Sequence, residues 1–315
     1  MTALPTSLRS AYVRWSRAGS PDQGPFHWRP AAWDRRFSLN GALTIDGVDL
    51  RASIRTIAEA CASSHAEESL IDRSVVASLH RPEVLRLGTP AAPQAVVTAF
   101  IAAMIWGYGT AGYGPFRTER VLAADPAAVQ HLMGVAETCL AAPDGGMRAF
   151  ELVAKERLEN KTFLKYLGPA FGTKFLFFLS AAADDVDPVP VMDAVVRRWF
   201  RSEADIDLTT LSWAPSSYEA YLSALDAWRN QLPATKDGRP LSRDEVELLV
   251  FASARGDAVS WDRDAAFLDE DDLSVDQLLD LLQPEIERLA ETRGGEGTML
   301  LNQLATWVAR SDSEH

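Results

Sequence analysis

The segment that most constrains the fold is residues 93 to 106 (PQAVVTAFIAAMIW), in which nearly every side chain is apolar. A run of this kind predicts a helix that is buried on most of its sides, so other elements must surround it. It is too short for a membrane span, which needs about 18 apolar residues. Since helical periodicity also dominates the sequence after residue 51, we expect a soluble, all-α (mostly α) protein.

Signals for helix starts and ends divide the rest of the chain. Asp125-Pro126 is typical of an N-cap followed by the first residue of a helix. Further helices are predicted at about residues 148–166, 173–183, 194–202, 217–231 and 242–255. Two more helices are predicted near the carboxyl terminus, at about residues 274–292 and 298–309.

The first 51 residues differ from the rest. Residues 1 to 36 are rich in Pro, Gly and Trp and locally basic, and we expect them to be irregular. Their arginines either contact phosphates or project from a disordered arm. Residues 37 to 51 contain two turn signals, Asn40-Gly41 and Asp46-Gly47, around short alternating apolar positions, which favours a small N-terminal β-hairpin.

Charge is distributed unevenly along the chain, whose formal net charge is −13. Residues 257 to 315 carry 15 acidic side chains and four arginines, a local net of −11, so residues 1 to 256 carry a net of only −2. An acidic balance argues against a nucleic-acid partner, but here the argument applies to the terminal segment alone. We expect an N-terminal region (1–75) that packs on a core (76–256), and an acidic helical extension over the terminal segment.

Cysteine and histidine content excludes several classes of site. With only Cys61 and Cys139, the chain cannot form a disulfide framework, a four-cysteine zinc site or a four-cysteine iron–sulfur cluster. The scattered histidines show no metal-ligand spacing: His27, His65, His80, His131 and His315. We therefore expect no metal and no other cofactor. The amino terminus lacks the apolar core of a secretory signal, so the expected location is the cytoplasm, and we expect a monomer.

Residues 164 to 200 contain the pattern that most directly indicates a reactive site. They predict a helix that ends near Leu167, a tight turn over residues 168–172, and a second helix that begins at Thr173-Lys174. Unpaired N–H groups at a helix start favour an anion, so the turn predicts a phosphate site. The apolar residues that follow place Lys174 in the first turn of a buried helix. Burial and the positive helix end both disfavour an ammonium ion, so we expect a nucleophilic amine.

A carboxylate partner for Lys174 is predicted 19 positions later. From Lys174 to Ala183 the helix rises about 15 Å, and the connector of residues 184 to 192 can span up to about 30 Å. Asp193 can therefore return to the level of Lys174. Asp193 also directly precedes a predicted helix, a position typical of an N-cap. Capping would fix the rotamer of its side chain.

The residues around Lys174 and Asp193 resemble a known family. The motif reads Gly168-Pro169-Ala170-Phe171-Gly172-Thr173-Lys174, then Pro190-Val191-Met192-Asp193 and Val196-Arg197-Arg198. It is similar to the helix–hairpin–helix DNA glycosylases, specifically the 8-oxoguanine DNA glycosylase-like branch. The resemblance implies a two-lobed, all-α helix–hairpin–helix fold that extrudes a nucleotide from duplex DNA, because the glycosidic carbon cannot be reached inside the stack. It also implies that Lys174 attacks C1′ and forms a Schiff base, while Asp193 stabilises positive charge on the sugar.

The resemblance covers residues 160–200 closely and residues 93–256 loosely. It implies DNA phosphate contacts along the hairpin and the following helix, at Gly168, Ala170, Gly172, Thr173, Arg197 and Arg198. Gly168 and Ala170 depart from the family's usual Leu and Gly, which alters the pattern of N–H groups toward phosphate. A solvated helix face is the alternative for the two arginines.

Residues 106 to 117 (WGYGTAGYGPFR) are rich in glycine and aromatic residues and lie where the family fills or probes the gap left by an extruded base. The candidates for stacking on the base or wedging into the duplex are Trp106, Tyr108, Tyr113, Phe116 and Arg117. The alternative is a helix end whose glycines form tight turns and whose aromatic rings pack in the core.

These residues support three hypotheses of function. The first is a DNA glycosylase with AP lyase activity that excises an oxidised or modified base from duplex DNA. The second is a non-catalytic helix–hairpin–helix module in which Lys174 contacts phosphate only. The third is a glycosylase against modified bases of foreign DNA, such as phage DNA, in host defence.

Overall fold

The computed structural model describes residues 3–39, 44–61 and 68–259, and α-helices dominate this part of the chain. The helices are α1 (Thr6–Arg17), α2 (Pro30–Leu39), α3 (Leu50–Ala60), α4 (Arg73–His80), α5 (Pro82–Leu85), α6 (Ala92–Tyr108), α7 (Gly114–Ala123), α8 (Ala128–Leu140), α9 (Gly145–Glu159), α10 (Pro169–Ala181), α11 (Ala194–Ala204), α12 (Pro215–Arg229) and α13 (Arg243–Arg255). Two antiparallel strand pairs complete it: β1 (Phe26–Trp28) with β4 (Ser69–Ile71), and β2 (Thr44–Ile45) with β3 (Val48–Asp49). The prediction of an all-α fold is confirmed.

The apolar segment forms the buried helix α6, as its composition predicts. Every residue from Val96 to Trp106 is buried, and α3, α4, α8 and α10 pack around the helix. Since α10 is one of these neighbours, the central helix also supports the segment that carries Lys174. No helix in the described ranges is both long and apolar enough to cross a membrane.

The prediction that residues 1 to 36 are irregular is wrong. They contain α1, which packs against α13, and the first residues of α2. The buried side chains of α1 follow helical spacing: Leu8, Ala11, Tyr12 and Trp15. Arg14 does not project from a disordered arm, because its Nε donates to the carbonyl oxygen of Ala258. The Pro and Gly residues that suggested irregular structure lie mainly in the connection after α1.

The prediction of a small N-terminal hairpin is confirmed at one of its two turn signals. Asp46 and Gly47 join β2 to β3, and both have positive φ, 49° and 80°, as a type I′ turn requires. Asn40-Gly41 lies outside the described residues. The helices predicted at 274–292 and 298–309 also lie outside them, and the division into three regions stays a prediction.

The hairpin of α9 and α10 has other bounds than the sequence predicts. The helix predicted at 148–166 ends at Glu159, because the side chain of Asn160 accepts a hydrogen bond from the N–H of Thr162 and begins a turn. The next helix begins at Pro169, which occupies the first helical position. Lys174 is therefore the sixth residue of α10 and does not lie in its first turn.

Asp125 does not cap the helix that it was predicted to open, since α8 begins at Ala128. Its carboxylate accepts hydrogen bonds from the N–H groups of Ala127 (3.1 Å) and Leu164 (2.8 Å) and contacts Nδ1 of His131 (2.6 Å). Leu164 lies in the connection between α9 and α10 and has a left-handed φ of 42°. Asp125 therefore fixes the loop from which α10 starts.

Candidate active site

Lys174 and Asp193 form an ion pair in a partly enclosed site. Nζ of Lys174 lies 3.3 Å from Oδ2 of Asp193, and the two side chains are 8% and 18% exposed. The connector thus returns Asp193 to the level of Lys174, which confirms the predicted geometry. The catalytic roles of the two residues stay predictions.

The two oxygens of Asp193 have separate partners. Oδ1 accepts hydrogen bonds from the N–H groups of Val195 (3.0 Å) and Val196 (3.1 Å), which makes Asp193 the N-cap of α11. Oδ2 is the oxygen that faces Lys174. Because the cap fixes the carboxylate, the orientation toward Lys174 is set by the backbone of α11 as well as by the ion pair.

Hydroxyl groups of α10 hold the connector in register with the helix. The Ser180 hydroxyl accepts a hydrogen bond from the N–H of Val189 (3.1 Å), and the Thr173 hydroxyl accepts one from the N–H of Met192 (3.1 Å). All four groups are buried. These bonds bring the residue before Asp193 next to the residue before Lys174.

Two tyrosines of α12 hold the connector from its other side. The hydroxyl of Tyr218 donates to the carbonyl oxygen of Pro190, and that of Tyr221 to the carbonyl oxygen of Val191, both at 2.8 Å. Burial raises the pKa of both hydroxyls well above the ordinary value of tyrosine, so both remain donors. The backbone just before Asp193 is therefore fixed from two helices.

The hairpin residues proposed for phosphate contact fall into two groups. Gly168 and Ala170 are partly exposed at the start of α10. Gly172 and Thr173 are buried inside the helix, where a Cβ on Gly172 would lie 2.2 Å from the Trp213 ring. Direct contact of DNA with these two buried residues conflicts with their packing, so Gly168 and Ala170 are the hairpin candidates that remain.

Arg197 and Arg198 lie on α11, in the turn that follows Asp193. Arg197 is partly buried and Arg198 is exposed. Within residues 3–39, 44–61 and 68–259, neither guanidinium forms an ion pair. Both are accordingly free to meet an anion beside the carboxylate.

Two of the predicted base-contacting aromatics lie at the site. The ring centroid of Trp106 is 5.7 Å from Nζ of Lys174. The ring of Tyr108 stacks on that of Phe171, with centroids 3.9 Å apart and an angle of 18°, and Phe171 lies 5.3 Å from the same Nζ. The alternative of a helix end is confirmed in part, because α6 ends at Tyr108 and Gly109 has a positive φ of 56°.

The other three residues of this segment lie on or just before α7. Tyr113 is exposed and contacts Phe116, with ring centroids 5.4 Å apart. Phe116 lies under the guanidinium of Arg36, 4.7 Å from its Cζ. Burial raises the pKa of the Tyr108 hydroxyl, and the nearby charge of Arg117 opposes this shift. The described contacts do not bring Tyr113 or Phe116 to Lys174.

A family model with the description "Putative 8-oxoguanine DNA glycosylase OGG-like protein" matches residues 19–251. The chain belongs to this family. The match agrees with the resemblance predicted from the residues around Lys174, and it makes DNA the substrate at the level of the family. No curated protein and no solved structure matches the chain.

Beside the glycosylase motif lies a buried ion pair that the sequence did not indicate. Arg73 of α4 donates from Nη2 to Oε2 of Glu247 of α13 at 3.0 Å. Burial raises the pKa of Glu247, and the charge of Arg73 opposes this shift. The one signal in the sequence is that Glu247 interrupts an otherwise apolar buried run from Val246 to Val250.

Proposed function

We propose that the chain is a DNA glycosylase with AP lyase activity in which Lys174 is the nucleophile. The observation that carries the proposal is the 3.3 Å contact between Lys174 Nζ and Asp193 Oδ2 in a chain of this glycosylase family. A lysine that only contacts phosphate lies at the surface, whereas the Lys174 side chain is 8% exposed. Burial beside a capped carboxylate favours the catalytic role over the role of a DNA-binding module.

The reaction requires Lys174 as a free amine, so its ammonium first gives up a proton. Nζ then attacks C1′ of the extruded nucleotide while the C1′–N bond breaks, and the departing base takes the bonding electron pair and a proton. Positive charge that develops on the sugar is stabilised by the carboxylate of Asp193. A proton then passes from the attached nitrogen to O4′, and the C1′–O4′ bond opens to give the Schiff base. Loss of a C2′ proton expels the 3′ phosphate, which cleaves the strand.

The aromatic residues at the site supply surfaces for the base and for the duplex. The Tyr108–Phe171 stack lies beside Nζ of Lys174, where the plane of an extruded base can stack. Trp106 is buried and supports Lys174 from within the protein. Tyr113 is exposed in the loop between α6 and α7, and it is the candidate for the gap in the duplex.

The DNA backbone is proposed to run along the starts of α10 and α11. The N–H of Ala170 lies at the start of α10, where the helix dipole favours a phosphate. The loop before α10 carries Lys161 and Lys165, both exposed, and no acidic residue. Arg197 and Arg198 extend this cationic surface beyond Asp193.

The test is borohydride trapping on duplexes that each carry one modified base, with oxidised, alkylated and phage-type bases in the panel. The wild-type chain should form a covalent adduct with at least one of them, and Lys174→Gln should form none. Lys236→Gln is the matched control, because it removes an exposed lysine that lies outside the proposed DNA surface and should still trap.

Two outcomes would contradict the proposal. If Lys174→Gln traps as much adduct as the wild type, another residue is the nucleophile. If the wild type binds duplex DNA but excises no base of the panel, the non-catalytic module is the better description. Preference for phage-type bases over oxidised ones would favour host defence over repair.

A further inference from the structure

The Arg73–Glu247 pair and the Lys174–Asp193 pair both lie at the ring of Trp106. The side chains of Arg73 and Glu247 are 17% and 3% exposed, and Nε of Arg73 also donates to Oε1 of Gln23 at 2.8 Å. Within the described ranges, Glu247 accepts no hydrogen bond other than the one from Arg73. A carboxylate this deeply buried is costly, and buried ionisable groups of this kind cluster at functional sites.

Trp106 connects the two ion pairs. Its ring centroid lies 5.7 Å from Nζ of Lys174 and 5.5 Å from Cζ of Arg73. Burial raises the pKa of Glu247, the charge of Asp193 raises it further, and the charges of Arg73 and Lys174 oppose the rise, so the two ion pairs interact electrostatically. The cations of both ion pairs therefore lie within about 6 Å of one indole ring, where burial makes interactions between charges stronger than in water.

The charged groups of the two ion pairs come from four elements. Asp193 of α11 pairs with Lys174 of α10, and Glu247 of α13 pairs with Arg73 of α4. Tyr221 of α12 keeps its proton, since burial raises its pKa and the charges of Glu247 and Asp193 raise it further. The α6 helix contributes the uncharged ring of Trp106.

We propose that Arg73 and Glu247 are positioning residues that set the charge state in which Lys174 enters the reaction. The inference rests on the proposed function, because it takes Lys174 as the nucleophile. The negative charge of Glu247 favours the ammonium form of Lys174, and the positive charge of Arg73 opposes it. With all four groups charged, the cluster is neutral.

Loss of the proton from Lys174 changes this balance. The cluster then carries one net negative charge, which complements the positive charge that develops on the sugar when the base departs. Glu247 thus adds to the electrostatic effect of Asp193 without touching the reacting atoms. Arg73 limits that effect, because its positive charge offsets the negative charge of Glu247.

The test is the pH dependence of single-turnover base excision in two charge variants. Arg73→Met leaves Glu247 unopposed, so the acidic limb of the profile should move to higher pH by about one unit. Glu247→Gln keeps the shape of the side chain but leaves Arg73 unopposed, so the limb should move to lower pH by a similar amount. The double variant should return toward the wild-type midpoint.

A purely structural role would lower the rate in both variants without moving the two limbs in opposite directions, and that result overturns the proposal. If a charge variant does not fold, Glu247→Asp replaces it. This substitution withdraws the carboxylate by one methylene and should move the limb slightly to lower pH. An unmoved limb in a folded Glu247→Asp variant also overturns the proposal.

A second measurement separates this proposal from the proposed function. The chain has five lysines, so ¹³C-lysine labelling gives few side-chain signals, and Lys174→Gln identifies the signal of Lys174. The pH at which this signal titrates in the free protein should shift in the same two opposite directions. If these shifts occur in a protein that excises no base, the charge coupling holds and only the glycosylase proposal fails.

Discussion

Gly107 lies directly against the side chain of Lys174. A Cβ at position 107 would be 2.6 Å from Cδ of Lys174, 2.7 Å from its Cε and 3.0 Å from the ring of Phe171. Side chains do not approach each other so closely, so only glycine leaves room for the lysine in its observed conformation. The side chain of Lys174 therefore passes over α6 at Gly107, and its Nζ then reaches Asp193.

Gly107→Ala should displace Lys174 and lower the rate of base excision by about 10²-fold, since a shift of about 1 Å in a reacting group has an effect of this size. Stability should change little, because alanine is the better helix former. Single-turnover excision and thermal unfolding measure the two effects. Gly112→Ala is the control, because a Cβ at position 112 would meet no atom within 4 Å; full activity of Gly107→Ala would contradict the argument.

Asp193→Asn should separate the charge of Asp193 from its capping role. The amide oxygen can still accept the N–H groups of Val195 and Val196, so α11 keeps its cap. Excision should nevertheless fall by about 10²- to 10⁴-fold, the range for a positioned acid–base group. Asp193→Ala should lose a further ~1 kcal/mol of stability with the cap. An Asn variant as active as the wild type would show that the carboxylate charge is unnecessary.

Tyr221→Phe should loosen the connector that carries Asp193. It leaves the buried carbonyl oxygen of Val191 without its donor, which costs about 1–3 kcal/mol. We expect slower excision as well as a lower free energy of unfolding, both measurable on the same preparation. Tyr12→Phe is the control, because it removes a part-buried tyrosine hydrogen bond to another backbone carbonyl, that of Ala234, outside the connector. Equal loss of activity in both variants would point to general destabilisation.

Stability should fall in mild acid because of His80. Burial lowers its pKa from 6.5 to about 4 in the folded protein, so below pH 6.5 the unfolded chain binds more protons than the folded one. The stabilising contribution is complete above pH 6.5 and is lost as the pH falls toward 4, by about 3 kcal/mol in total. Urea unfolding at pH 7 and pH 4 measures it.

His80→Leu removes the titrating ring and should flatten this part of the pH dependence. The variant also loses the contact of Nδ1 with the carbonyl oxygen of Val76, so its stability at neutral pH should be lower. The informative quantity is thus the change in stability between the two pH values. An unchanged difference would assign the acid sensitivity to other groups.

The acidic terminal segment should weaken binding to undamaged DNA. Residues 257 to 315 carry a net charge of −11, and the expectation rests on that charge. Deleting residues 260–315 should strengthen binding to an unmodified duplex and make it more dependent on salt. Fluorescence anisotropy at two salt concentrations checks both effects, and unchanged affinity with an unchanged salt dependence would refute this role.

Local patterns predicted the elements whose signals lie within one stretch of chain. The composition of α6, the turn at Asp46-Gly47 and the N-cap at Asp193 are of this kind, and all three were predicted correctly. The helix α10 begins at Pro169, earlier than the predicted start at Thr173. The glycines around Pro169 favour a turn in the sequence, whereas neighbouring residues stabilise a helix there. The helix α1 is not predicted from the sequence. The nearby Pro and Gly residues favour irregular structure, although the apolar residues of α1 have helical spacing.

The sequence by itself determined that the chain is helical, that α6 is buried, and that Lys174 and Asp193 can meet, since these depend on periodicity and on connector length. Only the tertiary structure decided what surrounds the pair. Arg73 and Glu247 come from helices far apart in the chain, and Gly107 matters because the side chain of Lys174 lies against α6 at that residue. Periodicity records which face of a helix is buried, but the side chains that meet there are selected by the packing of all the helices together.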